Sequence, residues 1–402
     1  MKKKIFFIIL FFLMIILLYI TNISQIPDRV VLINGESITV KKLYGIELNE
    51  KQREVIETWQ EGSIENKKVG VSLFGKIEVK EVSVTTIPQM KVIPVGNLIG
   101  LKLYTNGVLV IGMTELKNIN NQIEKPYESI NIKEGDTILE LNNQEIDSIK
   151  TLQSVVKNSE GETIEIKYAH MGEIMTSNIK PVETSKNEYK LGLWVRDSAT
   201  GVGTMSFYDP TSNKFAALGH GISDSDTGEL LNIESGEVVT SKLVDITKGI
   251  KGMPGEIKGS ISNGISIGEV NKNTNFGIFG NLEKQNISIN EKYKNGIEVA
   301  TRDEITLGKA NILCSLEDGK TEEYTIEITE INKENNSDNK SMKVKITDER
   351  LVQKTGGIIC GMSGSPIIQN NKLVGVLTNV LVSDPEVGYG VFSEIMIKEM
   401  MK

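Results

Sequence analysis

From Lys190 to the C-terminus, apolar residues recur at every second position in short runs, and glycine or Asn/Asp turns separate the runs. Residues 201–208, 214–218, 277–280, 305–313, 324–331 and 343–346 carry this pattern, interrupted in the fourth by Gly308. A period of two belongs to strands with one buried face, not to helices. Thirty-seven glycines against nine prolines fit many tight turns rather than a disordered linker protein. A stretch of roughly 210 residues is an ordinary size for a single all-β domain. Two packed barrels are expected, because closure hides strand edges.

Within this region, 355–380 concentrates the chemistry. Gly361-Met362-Ser363-Gly364-Ser365-Pro366 places a serine among small residues before two β-rich runs, with Asn370-Asn371 as a hairpin turn between them. Chymotrypsin-like serine peptidases carry their nucleophile before such a hairpin, with glycine two positions upstream. The N–H groups of Gly361 and Ser363 would converge there as an oxyanion hole, and a side chain at Gly361 would obstruct the turn. Ser365 occupies the place of the second glycine of an α/β-hydrolase elbow, which excludes that motif. A serine also needs a base, and the chain has two histidines, His170 and His220. His220 follows Phe215-Ala216-Ala217-Leu218-Gly219 and precedes a polar loop, the setting of a strand-end catalytic histidine. His170 reads as an exposed strand-end residue. His220 before Ser363 is the chymotrypsin order.

The remaining chain divides into three parts. Met1-Lys2-Lys3-Lys4 and the apolar run from Ile5 to Ile20 read as a signal-anchor or transmembrane segment over 1–24, uncleaved for want of an A-x-A site, with the rest outside the cytoplasm. Residues 25–94 form a membrane-proximal, strand-rich region with a short helix expected over 50–60. Residues 95–184 resemble an α+β PDZ domain, on Gly135-Asp136-Thr137-Ile138-Leu139-Glu140-Leu141-Asn142 and a helix expected over 148–156. Ile99-Gly100-Leu101 would be its carboxylate-binding loop, where a peptide adds as a strand. The peptidase domain would occupy 190–402. The net charge of −8 offers no basic patch and argues against nucleic acid.

Leu218-Gly219-His220-Gly221-Ile222-Ser223-Asp224, Asn275-Phe276-Gly277-Ile278-Phe279-Gly280, Lys345-Ile346-Thr347-Asp348, Lys354-Thr355-Gly356-Gly357-Ile358, the Ser363 block and Gly388-Tyr389-Gly390-Val391 together resemble the stage IV sporulation protein B family. These are the PDZ-containing serine peptidases of endospore formers. The resemblance implies His220 as general base, Ser363 as nucleophile and Asp348 as orienting acid. It also implies an extracytoplasmic enzyme of the forespore intermembrane space, self-cleavage, and regulatory cutting of a partner at a membrane surface. That cut would activate an intramembrane protease complex and, through it, a sigma factor. The PDZ groove would hold peptide C-termini or the protein's own N-terminal region. An inactive PDZ adaptor that only docks peptides is the alternative.

Asp348 stands fifteen positions before Ser363, so Asp224, Asp226 and Asp245 compete with it as the acid. Cys314 and Cys360 could be bridged only if their Cα atoms approach within ~7 Å. Ile358 and Ile359 suggest that Cys360 is buried. No zinc-ligand spacing occurs, so neither a metal nor another cofactor is expected. The absence of an acid in 355–360 disfavours a preference for Lys or Arg.

Overall fold

The computed structural model describes residues 28–33, 46–48, 65–73, 77–261, 264–283, 287–317, 319–334 and 338–402, with scattered positions between 10 and 23. The helix expected over 50–60 and most of the anchor expected over 1–24 lie outside the described residues. Among the described residues, no helix is long and apolar enough to cross a membrane. The chain is mainly β.

The first sheet contains β1 (Arg29–Ile33), β2 (Ile46–Leu48), β3 (Glu65–Leu73) and β4 (Ile77–Ile87) in the order β1-β4-β3-β2. Alternation on β3 and β4 directs Val71, Val82 and Val84 into a small core of its own.

Next come β5 (Lys91–Pro94) and β6 (Leu98–Met113), and β6 runs through two cores. Its first half sends Ile99, Leu101 and Leu103 into one core, and its second half sends Val108 and Val110 into another. Gly107 lies at the change of core with φ +86°, where a Cβ would fall 2.5 Å from the Ile138 carbonyl oxygen. Only glycine suits that position.

The second half of β6 opens an inserted α+β unit. It holds the hairpin of β7 (Leu116–Lys117) and β8 (Ile123–Glu124), then β9 (Thr137–Leu141), β10 (Gln144–Glu145) and α1 (Ile149–Asn158). β11 (Ile164–His170), β12 (Glu173–Ile179) and the hairpin of β13 (Val182–Ser185) and β14 (Glu188–Lys190) complete it. Leu152, Val155 and Val156 on α1 share the buried face, a helical spacing, and the Ser148 hydroxyl caps the helix by accepting the Thr151 N–H at 3.2 Å. The chain leaves along β15 (Leu193–Tyr208), whose start pairs with the second half of β6 and whose continuation pairs with the first half.

Two rings of strands follow from the pairing. β16 (Lys214–Ala217), β17 (Ile233–Thr240), β20 (Ser266–Thr274) and β21 (Gly277–Leu282) join β6 and β15 in the first, with β18 (Lys242–Thr247) and β19 (Glu256–Ser260) as a side hairpin. β6 pairs with β17, then pairing passes through β20, β21, β16 and β15 and returns to β6. The second ring comprises β23 (Gly308–Glu317), β24 (Lys320–Ile331), β25 (Met342–Ile346), β26 (Pro366–Gln369), β27 (Lys372–Leu381) and β28 (Asp384–Phe392). Its pairing runs β23-β24-β25-β28-β27-β26 and back to β23. β5 and β22 (Ile297–Val299) tie the rings together: β5 pairs with both β15 and β22. Two short helices complete the fold: α2 (Glu349–Thr355) lies near β18, and α3 (Ser393–Met401) packs against β27 and β28 of the second ring and β16 and β21 of the first.

This topology corrects the expected peptide-binding loop. Gly100 faces Val202 of β15 on one side and Val239 of β17 on the other, so Ile99-Gly100-Leu101 has no edge for an added strand. Ile99 and Leu101 are buried, and a Cβ on Gly100 would lie 2.2 Å from Ile261 Cγ2. These residues build the first ring, and the α+β unit is inserted between two of that ring's strands rather than placed before it.

Candidate active site

The rings meet where both chemical motifs lie. A Cβ on Gly364, in the turn between α2 and β26, would be 2.1 Å from the Thr204 carbonyl oxygen and 2.8 Å from the Leu218 nitrogen, both in the first ring's chain. Gly364 has φ +105°, so close approach and backbone conformation both require glycine.

His220 follows β16 at this seam. Leu218 and Gly219 take positive φ (68° and 71°), which turns the chain out of the strand and leaves His220 half-buried. Its Nδ1 lies 2.8 Å from the Gly221 carbonyl oxygen. A carbonyl can only accept, so Nδ1 carries a proton, and in the neutral ring this leaves on Nε2 the lone pair that a general base needs.

Ser363 is held by Thr204. The Thr204 hydroxyl donates to the Gly361 carbonyl at 2.6 Å, and its N–H donates to the Ser363 carbonyl at 3.3 Å. The N–H groups of Met362, Gly364 and Ser365 donate to the carbonyls of Ile359, Leu377 and Met362. Among the described residues, the N–H groups of Gly361 and Ser363 donate to no protein acceptor. The Ser363 hydroxyl donates to the Thr378 carbonyl of β27 and not to His220. Thr378 borders the histidine segment as well, because a Cβ on Gly219 would lie 2.9 Å from its Cγ2. Were Ser363 to meet His220, its half-buried side chain would first have to leave the Thr378 carbonyl by a change of χ1 rotamer.

Asp348 makes no hydrogen bond to His220. It caps α2: Oδ1 accepts the N–H of Arg350 at 3.0 Å and its Nε at 3.1 Å, and Oδ2 accepts Arg350 Nη2 at 2.8 Å and the Thr325 N–H at 3.3 Å. Arg350 holds the carboxyl below the usual range, against the opposing effect of burial and with help from the N–H groups of Thr325 and Arg350. A depressed native pKa gives stability that is fully present above the ordinary value of about 3.9 and is lost as pH falls through the depressed value. Asp348→Asn keeps a capping oxygen but gives up the charge facing Arg350, so it is expected to lower stability by less than about 1 kcal/mol near neutrality and to flatten the loss of stability below about pH 4, read by urea titration across pH. It should also lower the peptidase rate, through the α2–Ser363 segment. A drop of about ten-thousandfold at unchanged stability would instead mean direct contact with His220.

The competing acids are engaged elsewhere. Asp224 and Asp226 bind Arg196, and exposed Asp245 lies 3.4 Å from Lys258. His170 is not simply solvated: its Nδ1 lies 2.8 Å from Oδ1 of buried Asp136, in the Gly-Asp turn of the α+β unit. Cys314 and Cys360 are free thiols. Burial pushes the Cys314 thiol well above its ordinary range. Cys360 is exposed although Ile358 and Ile359 before it are both buried. Among the described residues, no group of three His, Cys, Asp or Glu is placed to hold a metal ion.

Sequence reasoning missed Thr204, whose Gly-Val-Gly-Thr context carries no distinguishing signal. It also missed the start of β15. Residues 193–196 pair with β6 on one side, and among the described residues no strand pairs with the other. That edge lies beside α1, with Trp194 62% exposed.

The family described as SpoIVB peptidase S55 matches residues 187–397, more than half of the sequence. The chain belongs to this family. It is accordingly a serine peptidase. The S55 chain is also 33% identical over 95 residues to the zinc metalloprotease RasP of Shouchella clausii (strain KSM-K16), which covers 23% of this chain and 22% of that relative. It thus spans about a fifth of that curated relative. Among solved structures, the Rv3671c protease of M. tuberculosis in its active form is 10% identical with a TM-score of 0.27, over 63% of this chain and 86% of that one. The PDZ domain of an SdrC-like protein from Listeria monocytogenes is 21% identical with a TM-score of 0.19, over 22% of this chain and 87% of that one.

Proposed function

We propose that the two rings form a chymotrypsin-like double barrel and that Ser363 and His220, at their seam, are the nucleophile and general base of an endopeptidase. The observation that carries this reading is the Ser363 turn, where, among the described residues, the N–H groups of Gly361 and Ser363 have no protein acceptor, at the same seam as a histidine that carries its proton on Nδ1. Ser363 Oγ attacks the scissile carbonyl as its proton passes to His220 Nε2, and the two N–H groups stabilise the oxyanion. His220 then returns the proton to the leaving amine. Asp348, the acid implied by resemblance, enters here as the residue that sets α2 and the segment leading to Ser363. In the resting geometry the Gly221 carbonyl orients His220.

The α+β unit acts as a PDZ-like module. An extended peptide adds to the free edge at 193–196, beside α1, where main-chain pairing supplies affinity. The biological role we propose is that of an extracytoplasmic, membrane-associated regulatory peptidase of endospore formation, which cuts itself and a signalling partner upstream of an intramembrane protease. The full chain and its Ser363→Ala variant, incubated in detergent micelles and mapped by intact mass, test this. Fragments that accumulate only in the parent, by cuts between the N-terminal segment and residue 91, are expected. Equal fragmentation in both overturns self-cleavage.

A further inference from the structure

A continuous set of contacts runs from α1 of the inserted unit to the loop that begins at His220. Asp197 Oδ2 accepts the N–H of Ile149, in the first turn of α1, at 2.9 Å. Arg196 precedes it on β15, next to an irregularity in the pairing with β6 between Arg196 and Ser198, and its side chain reaches a different segment. Its guanidinium donates to Asp224, and through Nη2 to Asp226 Oδ2 at 2.6 Å. The side chain of Asp224 is fully buried, and its Oδ1 closes the loop by accepting the N–H groups of Asp226 and Thr227 at 2.9 Å each. At the loop's base, Asn273 of β20 donates to the carbonyls of Ile222 and Leu231 at 2.8 Å each and accepts the Ile222 N–H at 2.9 Å. Residues 221–231 are thus fastened to the first ring at one end and to the stem of the inserted unit at the other. A second touch point lies nearby, since a Cβ on Gly135 would be 3.0 Å from Glu229 Oε2.

We propose that Arg196 is a positioning residue for the peptidase reaction: it fixes the 221–231 loop, and through it His220, and so couples the placement of α1 to the reactivity of Ser363. His220 lies immediately before the loop, and its Nδ1 is oriented by Gly221, the loop's first residue. A shift of the loop therefore moves the acceptor that holds the imidazole. Arginine suits the task because its planar fork reaches two carboxylates at once, which a single ammonium does less well. α1 flanks the free edge at 193–196, so a peptide seated there presses on the same short stretch of β15 that carries Arg196 and Asp197. The inference rests on the proposed pairing of His220 with Ser363.

The test uses the full chain in detergent micelles and a fluorophosphonate reagent. Ser363 Oγ attacks phosphorus, fluoride leaves, and the hydroxyl proton passes to His220. The rate of labelling then reports positioning, and the end-point counts competent molecules. Relative to the parent, Arg196→Gln is expected to lower the second-order rate constant about ten- to hundredfold at an unchanged end-point, the scale expected for a misplacement of about 1 Å. Arg196→Lys is expected to fall between the two. An unchanged rate in Arg196→Gln overturns the inference. So does a reduced end-point whose remaining molecules label at the parent rate, which would make Arg196 merely structural. If the parent itself labels no faster than Ser363→Ala, the assignment of the reacting pair fails, and this inference falls with it.

Discussion

Replacing His220 with alanine is expected to slow hydrolysis of a fluorescein-labelled casein by about a millionfold in kcat, and Ser363→Ala by a similar factor. The expectation follows from the way the two side chains act. Neither a hydroxyl without a base nor a base without a hydroxyl performs the first proton transfer, so loss of one leaves little for the other to do. The double variant should therefore be no slower than either single one, with a residual rate of about a thousandfold or more over water from the turn's N–H groups and substrate binding. The measurement is a set of single-turnover rates for the parent, both single variants and the double variant. Strictly multiplicative losses, or more than a hundredth of the parental rate in His220→Ala, would remove the imidazole from the mechanism.

The second large effect concerns stability. Arg302 and Glu394 are 4% and 2% exposed, and they join the chain after β22 to the first turn of α3. The Arg302 N–H donates to Glu394 Oε2 at 2.9 Å, Nε donates to Oε1, and Nη1 donates to the Lys333 carbonyl at 2.6 Å. The guanidinium also stands 5.2 Å from the centre of the Phe392 ring. Withdrawing Arg302 takes the guanidinium from a buried carboxylate, and withdrawing Glu394 takes two hydrogen bonds to a carboxylate from Arg302; breaking a buried pair from one side costs about 3–5 kcal/mol. Arg302→Met and Glu394→Leu should each lower the urea-derived stability by that amount with little change in slope. The combined variant, which removes both charges, should recover most of the loss, because well-packed apolar replacements of buried pairs are often neutral or better. Additive losses in the double variant would show that the pair's charges are not what matters there.

Much of the scaffold could be read from the sequence because its signals are local. Alternation marks most of the ring strands, though not β17, β20 or β28, and Asn370-Asn371 does take positive φ (51° and 59°) between β26 and β27. With two histidines in the chain, the search for a base was short. The errors arose where a local pattern is compatible with two environments. Ile99-Gly100-Leu101 alternates equally well as a groove loop or as an inner strand, and only the partners on either side distinguish the two. Asp348 follows the run at 343–346, and nothing in that alternating pattern marks it as a cap. Its role as a cap shows only once Glu349–Thr355 is seen as a helix and Arg350 as the group that binds its carboxylate. The direction of the Ser363 hydroxyl, toward Thr378 rather than His220, is a matter of side-chain rotation that no residue pattern encodes.

The paired course of β6 and β15 has an evolutionary corollary. Tyr104 and Ser198 are cross-strand neighbours at the point where the chain departs for, and comes back from, the α+β unit. Such an arrangement makes the unit a cassette: replacing or excising it at that one rung of the ladder leaves the order of strands in both rings unchanged.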